Sequence, residues 1–125
     1  MNSNRNKTLI AGASPNPGRY AFLAAQMLTE HGHEFVPVGI KQGSVLGKDI
    51  LNLHGRPAVT GIDTVTMYVG PQNQAPWYDY ILSLNPRRVI FNPGTENPEF
   101  YKQLAEKGIE FQEACTLVLL RTGQY

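Results

Sequence analysis

The chain reads as one doubly wound α/β domain, with a mostly parallel sheet of five or six strands and helices on both faces. Three observations predict this. Short apolar and β-branched runs alternate with segments of helical period, the order that builds βαβ units and a parallel sheet. Glycine and proline punctuate the ends of those runs. The length, 125 residues, is that of a single domain, roughly 100–150.

The elements follow in order. Residues 1–7, MNSNRNK, form a polar tail, and the domain occupies 8–125. TLIA at 8–11 is a short apolar run of the kind that suits a strand buried on both faces. ASPNPG holds two prolines and a glycine and breaks regular structure. From Arg19 to Glu30, Tyr20, Leu23, Ala24, Met27 and Leu28 recur at helical spacing, and Gly32 stops the helix. EFVPV at 34–38 is a second strand. Residues 39–63 carry six glycines and prolines at Gly39, Gly43, Gly47, Gly55, Pro57 and Gly61. They leave room for no more than a short element near 50–53. TVTMYV at 64–69 alternates β-branched and aromatic residues and makes the third strand. A helix spans 77–84, a fourth strand 88–91, and a helix 98–107 with Asn97 as N-cap and Pro98 at its first position. Gly108 precedes a short fifth strand at 109–111. The apolar tail around 114–120 suits a buried helix or a sixth strand, and periodicity does not choose between them.

Composition narrows the function. Eleven Lys and Arg against ten Asp and Glu give a net charge of +1, with no basic run of the kind a nucleic-acid surface needs. No apolar run approaches the ~20 residues of a membrane span, and no apolar segment follows the polar start to make a secretory signal. One cysteine allows no internal disulfide. The expectation is a small soluble cytoplasmic domain with a small-molecule nucleotide ligand and no nucleic-acid or membrane partner. Its oligomeric state and protein partners stay open.

In open α/β sheets ligands bind beyond the carboxyl ends of strands, where strand order reverses. The loop after the first strand, Gly12-Ala13-Ser14-Pro15-Asn16-Pro17-Gly18-Arg19, points backbone amides and the Ser14 hydroxyl toward a helix N-terminus, a setting that attracts phosphate. It is not the usual dinucleotide fingerprint, because Ser14 and Pro17 stand where G-x-G-x-x-G needs glycines. Enzymes using NAD also place an acid about 20 residues on, at the end of the second strand. Here that stretch reads Val38-Gly39-Ile40-Lys41. A lysine in place of the acid favours an adenosine ribose that carries a phosphate. Tyr68 and Val69, ending the third strand, are placed to wall a ligand, and Asn92-Pro93-Gly94 begins a loop able to hydrogen-bond across the crevice.

Other chemistry finds little footing. Cys115 lies among apolar neighbours and reads as an inert buried thiol. His31, His33 and His54 lack metal-ligand spacing. No Ser-His-Asp set, nucleophile elbow or Walker loop is present. Trp77 and Tyr80, at i and i+3, read as core.

GASPNPGR, the run from Val36 to Gly47, NPGTEN and ACTLVLLRTGQ together resemble the CoA-binding domain family. These are small stand-alone Rossmann-like proteins similar to the CoA-binding domain of the succinyl-CoA synthetase α subunit. Tyr20 and Gly18 depart from the family pattern. The resemblance implies that Gly12, Ala13, Ser14 and Arg19, on a loop that includes Pro15 and Asn16, hold the CoA phosphates. It also implies that Gly39 and Lys41 lie near the adenosine, and that Tyr68, Val69 and Asn92 to Gly94 border the pantetheine. The synthetase's phosphorylated histidine belongs to a separate domain, so its catalysis does not carry over. The expected function is non-catalytic binding of coenzyme A or an acyl-CoA, as a sensor, carrier or regulatory module, with no catalytic or metal residues assigned. The alternatives are an NADP-binding reductase subunit and a protein-interaction scaffold with a vestigial nucleotide fold.

Overall fold

The computed structural model describes residues 6–125. Most of the predicted polar tail, residues 1–5, lies outside them. Its last member, Lys7, belongs to the first strand. The elements are β1 (Lys7–Ala11), α1 (Tyr20–Glu30), β2 (Glu34–Gly39), a hairpin of β3 (Ser44–Val45) and β4 (Lys48–Asp49), β5 (Leu51–Asn52), and β6 (Ile62–Met67). They continue with α2 (Tyr78–Leu84), β7 (Arg88–Phe91), α3 (Pro98–Glu106), β8 (Glu110–Glu113) and α4 (Thr116–Arg121). Short 3-10 turns occupy Leu53–Gly55, Pro71–Asn73 and Ala75–Trp77.

Six strands form one sheet in the order β5-β2-β1-β6-β7-β8, and each neighbouring pair is parallel. This is a Rossmann-like α/β fold. From β1 the chain winds outward through β2 to β5. It then returns to β6 on the other side and winds outward again through β7 to β8. The order therefore reverses between β1 and β6, which places a crevice above their carboxyl ends.

Alternating residues of the central strands feed the two faces. Leu9, Ala11, Val65, Met67 and Phe91 pack with Trp77, Tyr80, Phe100 and Leu104 under α2 and α3. Ile10 packs with Ala21, Ala25, Leu28 and Leu120 under α1 and α4. The buried stripe of α1 is Ala21, Ala24, Ala25 and Leu28, turned by one residue from the stripe its larger side chains predict. Alanines let that helix sit close on the sheet, and Tyr20 is left 71% exposed.

The tail is a helix, not a strand: Thr116, Leu117 and Leu120 are its buried residues. Its first turn is fixed by Asn92 Oδ1, which accepts from the Thr116 N–H at 2.8 Å. Asn97 stands at the N-cap of α3 with extended backbone, but its side chain makes no cap bond. Instead its amide donates to Gln74 Oε1 and to the Tyr78 hydroxyl. The glycine-rich stretch after β2 holds three two-residue strands, of which β5 extends the main sheet. No helix among the described residues is long and apolar enough to cross a membrane.

Candidate functional site

The site is built from the segments that leave β1, β2, β6 and β7, with the turn after β5 and the start of α4 at its edges. Gly12 turns the chain out of β1 with φ of +92°, and a Cβ there would lie 2.9 Å from Val69 Cγ2 and 3.1 Å from the Tyr68 carbonyl. Both strain and collision exclude a side chain. Gly12→Ala is therefore expected to cost about 2–3 kcal/mol of stability. Urea unfolding at neutral pH checks this, and a loss under 0.5 kcal/mol would contradict it.

The amides of this loop are distributed differently from the sequence expectation. Gly12 and Ala13 both donate to the Val38 carbonyl, at 2.9 and 3.0 Å, so they tie the loop to β2 and do not face an anion. The Ser14 hydroxyl accepts from Asn16 N–H, and Asn16 Oδ1 accepts from Gly18 N–H. Arg19 N–H donates to the Asn16 carbonyl. Ser14, Asn16 and Pro15 thus shape the loop, with Pro15 packed against Gly43. The amides of Ser14, Tyr20 and Ala21 have no hydrogen-bond acceptor among the described residues. The last two are orphans of the first turn of α1, and all three residues line the crevice. Gly39 contributes by its lack of a side chain: a Cβ there would stand 3.0 Å from the Ala13 carbonyl oxygen.

The crevice has three joined compartments. The first, about 460 Å³, lies on the β2 side and includes Gly12, Ala13, Ile40, Lys41, His54, Val69 and Trp77 in its lining. The second, about 290 Å³, lies over the start of α1, among Ser14, Arg19, Tyr20, Ala21, Lys41, Pro93 and Gly94. The third, about 250 Å³, lies toward α4. Tyr68 lines all three, and Lys41 lines the first two.

Charge is strongly sorted. The cations Arg19 and Lys41 line the compartments together with His54, and among the described residues no Asp or Glu does, although the chain has ten acids. Glu96, in the loop after β7, accepts from the Gly94 N–H at 2.9 Å. The field in the crevice is therefore positive in a nearly neutral protein.

Asn92 borders the third compartment, but its amide is turned inward. Its Nδ2 donates to Thr66 Oγ1 and the Met67 carbonyl, each at 2.8 Å, and its Oδ1 holds α4. It clips β6, β7 and α4 together and has no amide group left for a ligand. The Tyr68 hydroxyl is buried beside the Thr66 and Thr116 hydroxyls and makes no well-formed hydrogen bond among the described residues. Burial pushes its phenol up to about 12; the Cys115 thiol acts the same way, while the Thr66 and Thr116 hydroxyls oppose the shift. The ring stays neutral at physiological pH.

Cys115 is half-buried and lines the third compartment, so it is not the sealed core thiol that its apolar neighbours imply. Trp77 is core, as expected, at 3% exposure, yet it also touches the first compartment. His54, Ile40, Tyr20 and Leu117 are lining residues that the sequence reading did not select. His54 sits on the 3-10 turn behind a two-residue strand, where Asn52 Oδ1 accepts from its backbone N–H. No local pattern marks such a position. Among the described residues, no three His, Cys, Asp or Glu side chains gather as a metal site.

A family model for a CoA binding domain matches residues 6–121. The crystal structure of an uncharacterized protein is 59% identical with a TM-score of 0.92, covering 96% of this chain and 98% of that one. A hypothetical protein from Pyrococcus horikoshii OT3 is 27% identical with a TM-score of 0.81, covering 94% and 83%. A Thermus thermophilus structure, 23% identical with a TM-score of 0.79 and covering 96% and 91%, shares the fold. No curated protein matches the chain.

Proposed function

The chain belongs to the CoA binding domain family, and on that premise we propose that it binds coenzyme A or an acyl-CoA along this crevice. The observation that carries the proposal is the sorted charge: Arg19 and Lys41, joined by His54, with no carboxylate among the described lining residues. Coenzyme A is a match for such a field, being an adenosine with a 3′-phosphate, a diphosphate and a long uncharged arm. The diphosphate belongs in the second compartment, against Arg19 and the open amides of Ser14, Tyr20 and Ala21 at the helix start. The first compartment takes the nucleoside, with Lys41 and His54 for its 3′-phosphate and Val69 and Trp77 beside the base. The arm runs past Tyr68 and Pro93 toward the third. Of the proposed contacts, Gly12, Ala13 and Gly39 act by letting backbone lie close, while Pro15, Asn16 and Asn92 act through the shape of the loops.

We read the role as binding without catalysis, as a sensor, carrier or regulatory module. What supports this reading is that His54 and Cys115 line different compartments.

Thermal unfolding tests the proposal. A ligand at a hundred times its Kd adds about 2.7 kcal/mol, which for a domain of this size raises Tm by roughly 10 °C. Coenzyme A is expected to do so, with NAD and NADP giving no more than a small shift. An equal or larger shift from NADP would replace this reading with a reductase subunit. No shift from any nucleotide would favour a protein-interaction scaffold.

A further inference from the structure

The third compartment differs in chemistry from the other two. Its walls are Tyr20, Tyr68, Asn92, Pro93, Cys115 and Leu117, with no ionisable acid, lysine, arginine or histidine among them. The Asn92 amide is spent on Thr66, Met67 and Thr116, and the Tyr68 hydroxyl is buried. The surfaces left are two aromatic rings, the hydroxyl of the exposed Tyr20, a proline, a thiol and a leucine. Such a space stabilises carbon and has no cation to offer a phosphate.

We infer that this compartment is an acyl pocket, so that the preferred ligand is a short-chain acyl-CoA thioester and not free CoA. The inference rests on the proposal that CoA lies in the crevice, and position follows from it. Once the diphosphate is fixed at the start of α1, the phosphorylated nucleoside and the arm leave from its two ends, and chemistry assigns each a compartment. The nucleoside goes to the larger compartment, which Lys41 and His54 line. The uncharged arm goes to the smaller one, entering between Tyr20, Tyr68 and Pro93, which line both. At about 250 Å³ the space equals roughly eight water volumes. That suits the thiol end of the arm with an acyl group of two to four carbons. Leu117, held on α4 by the Asn92 clip, helps close it.

Titration calorimetry of the whole chain with CoA and its acetyl, propionyl, butyryl and octanoyl thioesters tests this. Affinity is expected to rise from CoA through butyryl-CoA, by about fourfold for each fully buried methylene, with no further gain for octanoyl-CoA. Leu117→Ala, which lengthens the pocket, is expected to move the optimum to longer chains. Cys115→Leu, which fills it from a half-buried position, is expected to flatten the series and serves if the first variant melts early. Equal affinity for CoA and every thioester, with all of them still weakened by Lys41→Glu, would overturn the acyl pocket and leave CoA binding standing. Failure of the folded chain to bind CoA or any thioester would overturn both.

Discussion

Lys41→Glu is expected to weaken CoA binding by roughly thirtyfold or more at moderate salt. Among the described residues Lys41 is the one cation shared by the first two compartments, where we propose that the 3′-phosphate and the diphosphate lie. The substitution removes an ammonium and puts a carboxylate into a lining that has none, so attraction is replaced by repulsion. Dephospho-CoA, which lacks the 3′-phosphate, is expected to lose less, about tenfold or under. The exposed position of Lys41 keeps the fold out of the result, and the melting temperature without ligand is expected to hold. Equal losses for the two ligands would move Lys41 away from the 3′-phosphate.

Asn92→Ala is expected to give the largest loss of stability of any single substitution in the crevice walls. Three hydrogen bonds end on this buried amide. Without them the Met67 carbonyl and the Thr116 N–H are left unpaired, while Thr66 and Thr116 retain their mutual bond at 2.7 Å. Unsatisfied buried groups cost about 1–3 kcal/mol each, so a total near 3 kcal/mol is expected by urea unfolding. Asn92→Asp is expected to be no better, since the carboxylate loses both donors and is buried. A loss under 1 kcal/mol for the alanine variant would show that α4 is held by other contacts.

How much of this the sequence discloses depends on the range of the interactions involved. β1, β2, β6 and β7 are recognisable because burial on both faces demands an unbroken apolar or β-branched run, and α1 and α3 because period and terminal residues agree. The hairpin β3–β4 is not, since its two-residue strands are held by Val45, which is buried in a core assembled elsewhere. The α4 segment is ambiguous for a similar reason: what settles it is a hydrogen bond from a residue 24 positions away. The site divides along the same line. That crevices open beyond the ends of strands is a rule of the topology, and it picks out Gly12, Ser14, Arg19, Lys41, Tyr68, Val69, Pro93 and Gly94 as residues of the crevice lining. Which amides remain open is not such a rule. It depends on the Val38 carbonyl, the Ser14 hydroxyl and the Asn16 side chain, and these take up the N–H groups of Gly12, Ala13, Asn16 and Gly18. The absence of acids from the crevice is likewise invisible in a chain whose total charge is +1.

A crevice lined without acids among the described residues, and holding the 3′-phosphate of CoA, binds CoA in preference to an adenosine ligand that lacks that phosphate. Calorimetric titration of the unmodified chain with CoA, dephospho-CoA and NAD side by side tests it most directly. The expected order is CoA tightest, dephospho-CoA weaker by about tenfold, and NAD weakest. Binding of NAD as tight as CoA, or no loss on removing the 3′-phosphate, would contradict it.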